Sequence, residues 1–335
     1  IIPPVRVVSA PPRWMLDVER WMLDVSFLMN FLAVEIGGTK LQLCIGTSAG
    51  EILERRRFQI DRAEGGQGIR RQIEGALPEL LEKYSPRAIG VGFGGPVDWQ
   101  SGKIARSHHL EGWNDYPLGD WFETRAGLPT FIDNDANVAA LAEARLGAGR
   151  GSNPVFYVTL GSGVGGGLVH DGRIFHGAPP GEVEIGHLRL DREGTIVEDR
   201  CSGWNVDRRV QREAAAHPES MLADLVRQSP TGGEARHLRV ALAHNDPVAE
   251  TILRETMENL AFGLSHVVHL FHPQTVVVGG GLSLLGPPLQ TQLAKALPAF
   301  LMDSFLPGPR IEFAALGEDT VPVGALVLAA DRLIV

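Results

Sequence analysis

Between residues 31 and 58 the chain runs apolar, reverses at glycine and runs apolar again, as FLAVEI, GGTK, LQLCIG, a second turn and then EILERRRF. The same order returns at 155–175, where VFYVTL, GSG and VGGGLVH precede DG and RIF. Short apolar runs bounded by glycine predict strands, so each stretch reads as strand, glycine turn, strand, turn, strand. Either turn alone is explained by a tight hairpin, since glycine supplies positive φ where strands reverse. Turns without side chains also let backbone N–H groups close on an anion, and two of them can clamp a polyphosphate. The repetition favours that second reading, because self-similarity within one chain points to a duplicated half-domain.

Elsewhere strands alternate with helices. Buried strands are predicted at 88–93, entering Gly94-Gly95-Pro96, at 130–132, and at 275–278, entering Gly279-Gly280-Gly281. Helices are predicted at 136–146, stopped by Gly147, and at 247–271, ahead of Pro273. Helices are also expected between 205 and 245, without legible limits. This order is that of an α/β protein with covered sheets.

At 335 residues and 44% hydrophobic content the chain is long enough for two domains, each with a core. A net charge of −9 gives no basic footprint for nucleic acid or an anionic membrane, so an anionic ligand has to be held by local amides and a metal. No run of about 20 apolar residues exists to span a bilayer. Cys44 and Cys201 are the only cysteines, which excludes a disulfide framework and a cysteine zinc cluster and fits a cytoplasmic address. Residues 1–28, with four prolines and WMLDV twice over, are expected to be an extension without function rather than an amphipathic partner helix, with Met29 as the natural start.

Familiar phosphate motifs fail. Gly161, Gly163 and Gly166 match G-x-G-x-x-G, but Leu168, Val169 and Asp171-Gly172 read as strand and turn where a dinucleotide site needs a helix. Gly102-Lys103 is followed by Ile104, so there is no P-loop, and no H-R-D or D-F-G set of protein kinases occurs.

The chemistry is expected at Asp133-Asn134-Asp135, between a strand end and a helix start, where α/β sheets hold ligands. One of the three suffices to cap the helix, which leaves a carboxylate to face a cleft. Glu182, Glu184 and His187 form a second polar cluster, either an exposed loop or a ligand site; zinc would need about four ligands, and these residues do not supply them. His266, His269 and His272 fall at the end of the long helix, where hydrogen-bonding side chains suit free carbonyls better than a metal.

IGGTK at 36–40, GFGGPVD at 92–98, DNDANVAALAEARLG at 133–147, TLGSGVGGGLVHDG at 159–172, GEVEIGH at 181–187 and VVVGGGLS at 276–283 together resemble the ROK family of bacterial sugar kinases and sugar-responsive repressors. The resemblance covers residues 29–332 and implies an actin-like ATPase (ribonuclease H-like) fold, two α/β domains around a nucleotide and sugar cleft. The domains are then expected at 29–138, joined by a C-terminal helix at 321–335, and at 139–320.

By the same resemblance Asp135 is the general base that takes the proton of the sugar hydroxyl, and Gly95, Asn134, Glu184, His187 and Glu198 bind the sugar. Gly37, Gly38, Thr39 and Lys40 form one phosphate loop, Thr159, Gly161, Ser162 and Gly163 the other, and Gly279, Gly280 and Gly281 the adenosine-side turn. The implied cofactors are ATP and Mg²⁺, with Glu35 standing where the family carries Asp and reaching the ion through water. The family's C-x-C-G-x-x-G-C zinc loop is shortened here to Arg189–Cys201 with a single cysteine, so structural zinc is not expected and His187 serves the sugar alone. His109 stands where the family often has asparagine near the sugar.

The implied reaction moves the γ-phosphate of ATP to the 6-hydroxyl of a hexose. Glucose is the expected acceptor, with fructose, mannose and N-acetylated hexosamines open. Asp135 is expected to have an ordinary carboxylate pKa of about 4. The alternatives are a sugar-sensing regulator, for which no helix-turn-helix pattern is seen, and a sugar-binding pseudokinase, suggested by Glu35. The family leads one to expect a homodimer.

Overall fold

The computed structural model describes residues 29–105, 111–179, 181 and 183–334. The segment 1–28, His109 and Glu182 lie outside these residues. The first apolar repeat forms β1 (Phe31–Ile36), β2 (Leu41–Gly46) and β3 (Ile52–Phe58), an antiparallel run. Helix α1 (Gly65–Tyr84) returns the chain to β4 (Ile89–Phe93), parallel to β1. A hairpin of β5 (Val97–Asp98) and β6 (Lys103–Ile104) and helix α2 (Leu118–Ala126) lead to β7 (Thr130–Asn134), which completes a five-stranded sheet in the order β3-β2-β1-β4-β7. Every residue of β1 is buried, because Leu32, Val34 and Ile36 enter one core with Ile69, Ile73 and Leu77 of α1, while Phe31 and Ala33 enter another. A strand covered on both faces is why the pattern reads as continuous rather than alternating.

After α3 (Asp135–Arg145) the second repeat forms β8 (Val155–Leu160), β9 (Val164–His170) and β10 (Arg173–Ile174). The helices α4 (Val197–Cys201), α5 (Gly203–Ala216), α6 (Met221–Arg227), α7 (Arg236–Ala243) and α8 (Pro247–Phe271) precede β11 (Thr275–Gly279). Helix α9 (Pro287–Ala296), β12 (Arg310–Phe313) and α10 (Thr320–Ile334) close the chain. This second sheet runs β10-β9-β8-β11-β12, with the same pairing as the first, two antiparallel pairs followed by two parallel ones.

The two sheets exchange helices. Helix α3 follows the fifth strand of the first sheet, yet Ala139 and Ala140 pack with Val155, Tyr157 and Val277 of the second. Helix α10 follows the fifth strand of the second sheet, yet Ala325 and Leu326 pack with Phe31, Ala33 and Ala88 of the first. Their crossing has no spare room, since a Cβ on Gly324 would lie 2.0 Å from the Val138 carbonyl oxygen. The buried Glu143 carboxylate of α3 accepts the N–H groups of Ala148, Ala315 and Leu316 at 2.8, 3.1 and 3.0 Å, fixing the approach to α10. The domain limit expected at 138 falls inside α3, which belongs by sequence to one sheet and by packing to both.

Helix α8 spans the residues expected of it. Asp246 caps it by accepting the N–H groups of Val248 and Ala249 at 2.8 and 3.0 Å, and it ends at His272 in a left-handed conformation (φ 47°). His269 and His272 stack on Phe305, and His266 meets Phe262 edge-on. Strand β7 continues two residues beyond its expected end, so Asp133 and Asn134 belong to the sheet. Among the described residues no helix is long and apolar enough to cross a membrane.

Candidate active site

A cleft of about 1130 Å³ opens where the two sheets and the crossed helices meet. Asn134 and Asp135 form the joint between β7 and α3. The Asn134 side-chain oxygen accepts the N–H groups of Ala136 at 2.9 Å and Asn137 at 3.3 Å, and its amide donates to the Gly95 carbonyl at 3.2 Å. Asn134 is therefore the helix cap, which frees the Asp135 carboxylate for the cleft it lines. Burial pushes the Asp135 carboxyl up to about 7, and the negative charge of Glu35 adds to the rise. The structure thus corrects the ordinary value of about 4 expected from residue type: the side chain sits where water cannot fully solvate its anion, and a second acid faces it.

Glu35 is buried on β1 beside its cross-strand partner Gln42, whose amide donates to the carboxylate. Burial raises its pKa, opposed by that hydrogen bond and by the charge of Lys40. The first glycine turn closes with Gly37 N–H on the Lys40 carbonyl at 2.8 Å, and Gly94 N–H joins it to β4 through the Ile36 carbonyl at 2.8 Å. A Cβ on Gly94 would lie 3.3 Å from both Asp135 Oδ2 and Gly37 Cα, so the turn, the β4 exit and the acid meet at one point.

The second turn closes with Gly161 N–H on the Gly163 carbonyl at 3.0 Å, and Gly203 N–H at the head of α5 reaches the Gly161 carbonyl at 2.7 Å. Glu198 of α4 accepts the Val164 N–H at 2.9 Å. Gly280, at φ 81°, lies so close to β8 that a Cβ would be 2.6 Å from the Leu160 nitrogen, which requires glycine there. Glu184 and His187 line the same cleft, their carboxylate and Nδ1 separated by 3.4 Å.

Glu35, Gly37, Gly38, Thr39, Lys40, Gly95, Asn134, Asp135, Thr159, Gly161, Ser162, Gly163, Glu184, His187, Glu198, Gly280 and Gly281 all face this cleft. Gly279 does not; it ends β11 behind the wall, where a Cβ would meet the Tyr157 hydroxyl at 2.1 Å. Sequence reasoning missed Trp204, Arg236, Arg239 and Leu284, which also line the cleft. Trp204 follows Ser202-Gly203 at a helix start, and an aromatic residue there was the available signal; the arginines lie in the stretch whose helices could not be delimited.

Among the described residues no three His, Cys, Asp or Glu side chains converge as a metal site. Cys201 is buried, its Sγ directed to the Thr256 carbonyl at 3.5 Å. The hard oxygens of Glu35 and Asp135 suit a divalent cation that completes its shell from water and substrate phosphates.

Two sheets of one topology, helices crossed between them and a cleft walled by paired glycine turns define an actin-like ATPase (ribonuclease H-like) fold. The chain belongs to the ROK family, whose model matches residues 31–332. It is 31% identical to a glucokinase of Halalkalibacterium halodurans over 88% of this chain and 93% of the relative. With a glucokinase of Thermotoga maritima it shares 28% identity over 91% of this chain and 98% of the relative. The crystal structure of a ROK family glucokinase from Streptomyces griseus in complex with glucose and AMPPNP superposes with a TM-score of 0.79 at 30% identity, covering 90% of this chain and 99% of that one.

Proposed function

We propose that this chain is an ATP-dependent hexose kinase that transfers the γ-phosphate of ATP to the 6-hydroxyl of a hexose, glucose first, with Asp135 as general base. The observation that carries this reading is the meeting of Asp135, Gly94 and the first glycine turn in the cleft that the second glycine turn also lines. The similarity to glucokinases, one of them solved with glucose and AMPPNP, supports the choice of acceptor and donor.

In this mechanism the Gly37–Lys40 and Thr159–Gly163 turns, each closed on itself by its Gly37 or Gly161 N–H, present their remaining polar groups to the phosphates, and Gly280 and Gly281, backed by Gly279, shape the adenosine side. Asn134, Gly95, Glu184, His187 and Glu198 orient the sugar hydroxyls, and polar partners that a bound sugar shields from water, left unpaired by an analogue, give selectivity. Glu35 would hold Mg²⁺ through its water shell, and the ion would neutralise charge on the β- and γ-phosphates. Asp135 accepts the hydroxyl proton; with a pKa near the working pH it couples sufficient ionisation to basicity. Positioning carries most of the acceleration, because phosphoryl transfer passes through a loose transition state.

The protein is further proposed to act in the cytoplasm as a homodimer; the exposed apolar side chains of Leu270, Met302 and Leu306 supply surface for a second copy. ADP release measured over a panel of hexoses, with and without Mg²⁺, tests the reaction. Metal-dependent release with glucose supports it. Hexose binding with no ADP release would instead make the chain a pseudokinase or a sugar sensor.

A further inference from the structure

His176 lies two residues beyond β10, outside the cleft-lining set, yet its Nε2 is 2.6 Å from Oδ2 of Asp133 on β7. The contact joins the second sheet's side of the molecule to the first. Both groups are shielded, with side-chain exposures of 9% and 2%, so water does not compete for the bond. The other carboxylate oxygen of Asp133 accepts the Asn134 N–H and the Asn137 side-chain amide, each at 2.9 Å. Asp133 therefore ties the backbone of Asn134 and the first turn of α3, which carry the acceptor side of the cleft, to a histidine from the other sheet.

The imidazole is also stacked. Trp99, in the β5–β6 turn, covers it with ring centroids 4.2 Å apart and planes 19° from parallel, and the Arg332 guanidinium of α10 lies 4.8 Å from the Trp99 ring. Gly181 folds back against the same residue, so closely that a Cβ there would lie 3.3 Å from His176 Cβ. The chain then continues to Val183, whose carbonyl would lie 3.1 Å from a Cβ on Gly166, and to Glu184 and His187 in the cleft.

We propose that His176 is a positioning residue for the hexose: by bonding Asp133 across the two sheets it sets the segment bearing Glu184 and His187 in register with Asn134 and Asp135. The proposal rests on the hexose-kinase reading for its kinetic consequence, but its structural half stands without any substrate. A hydrogen bond to a carboxylate shielded from water affects binding by about tenfold or more.

His176→Ala is expected to raise the glucose KM by about tenfold while the ATP KM stays within about twofold, since the bond serves the acceptor side only. His176→Gln, which keeps an N–H donor, should restore much of the glucose KM. His176→Phe, which keeps the ring against Trp99 but offers no donor, should not. Without ligands, hydrogen exchange of the Val183–His187 amides should quicken in His176→Ala relative to β8. An unchanged glucose KM, an equal rise in both KM values, rescue by Phe rather than Gln, or unaltered exchange would each overturn the proposal. A wild-type protein that releases no ADP with any hexose would instead refute the kinase reading, and the exchange experiment would still decide the role of His176.

Discussion

The two halves share a topology but not a chemistry. Glu35 pairs across its hairpin with Gln42, and the residue at the matching place in the second repeat, Thr159, pairs with Gly165. The first turn carries a lysine and sits against Asp135; the second is glycine and serine, backed by Glu198. One repeat concentrates ionisable groups, and its partner presents mainly backbone amides. A repeated scaffold can thus divide labour by differing in a few residues at matching turns, with an acid beside the first turn and a second turn that carries no ionisable side chain of its own.

The exchanged helices begin at residues that both line the cleft, Asp135 for α3 and Thr320 for α10. Asp135→Ala should lower turnover by about 10² to 10⁴ with nucleotide affinity nearly unchanged by calorimetry, whereas Thr320→Ala should cost less than about tenfold. Equal losses would abolish the asymmetry.

Stability distinguishes the two ends of the helix crossing. Glu143→Ala removes a fully buried carboxylate and leaves the partly buried N–H groups of Ala148, Ala315 and Leu316 without their acceptor, and should destabilise by about 2–5 kcal/mol in denaturant titration. The Arg145–Asp331 pair of the same two helices is about 40% exposed, so Asp331→Ala should cost no more than about 1 kcal/mol.

Glu35→Gln should reduce turnover by about tenfold and raise the Mg²⁺ concentration needed for half activity, as a carboxylate in the ion's water shell would require. Thr159→Ala at the matching position should weaken ATP without changing the metal requirement.

The mildest test is pH. Because the Asp135 pKa is raised to about 7, kcat/KM for the hexose should climb with slope one as pH rises toward 7 and then level off. The stability consequence has the opposite direction. The native carboxyl holds its proton above the unfolded value, so folding is favoured below about pH 4 and loses that contribution as pH rises through 7. Asp135→Asn should therefore melt higher than wild type above pH 7, with the advantage gone below about pH 4.

Much of the scaffold was legible. Both glycine hairpins, α8 and the approach to Gly280 appear where apolar runs and glycines place them, because these features arise from local chain preferences and repeat in the sequence. The helices between 205 and 245 were not delimited: α6 and α7 have only 7 and 8 residues and are separated by a glycine turn, too little length for a periodic pattern to stand out. The α7 arginines were missed for the same reason.

The sequence by itself determined the strand and turn repeats, a polar cluster at 133–135 able to cap a helix and leave a carboxylate over, and the lack of a cysteine zinc loop, since each rests on residues adjacent in the chain. Only the tertiary structure decided which helix covers which sheet, that Gly279 lies behind the cleft wall, and that His176 meets Asp133. It also decided the raised pKa of Asp135, because a pKa depends on how much water and which other charges surround a carboxylate, and those neighbours come from distant parts of the chain.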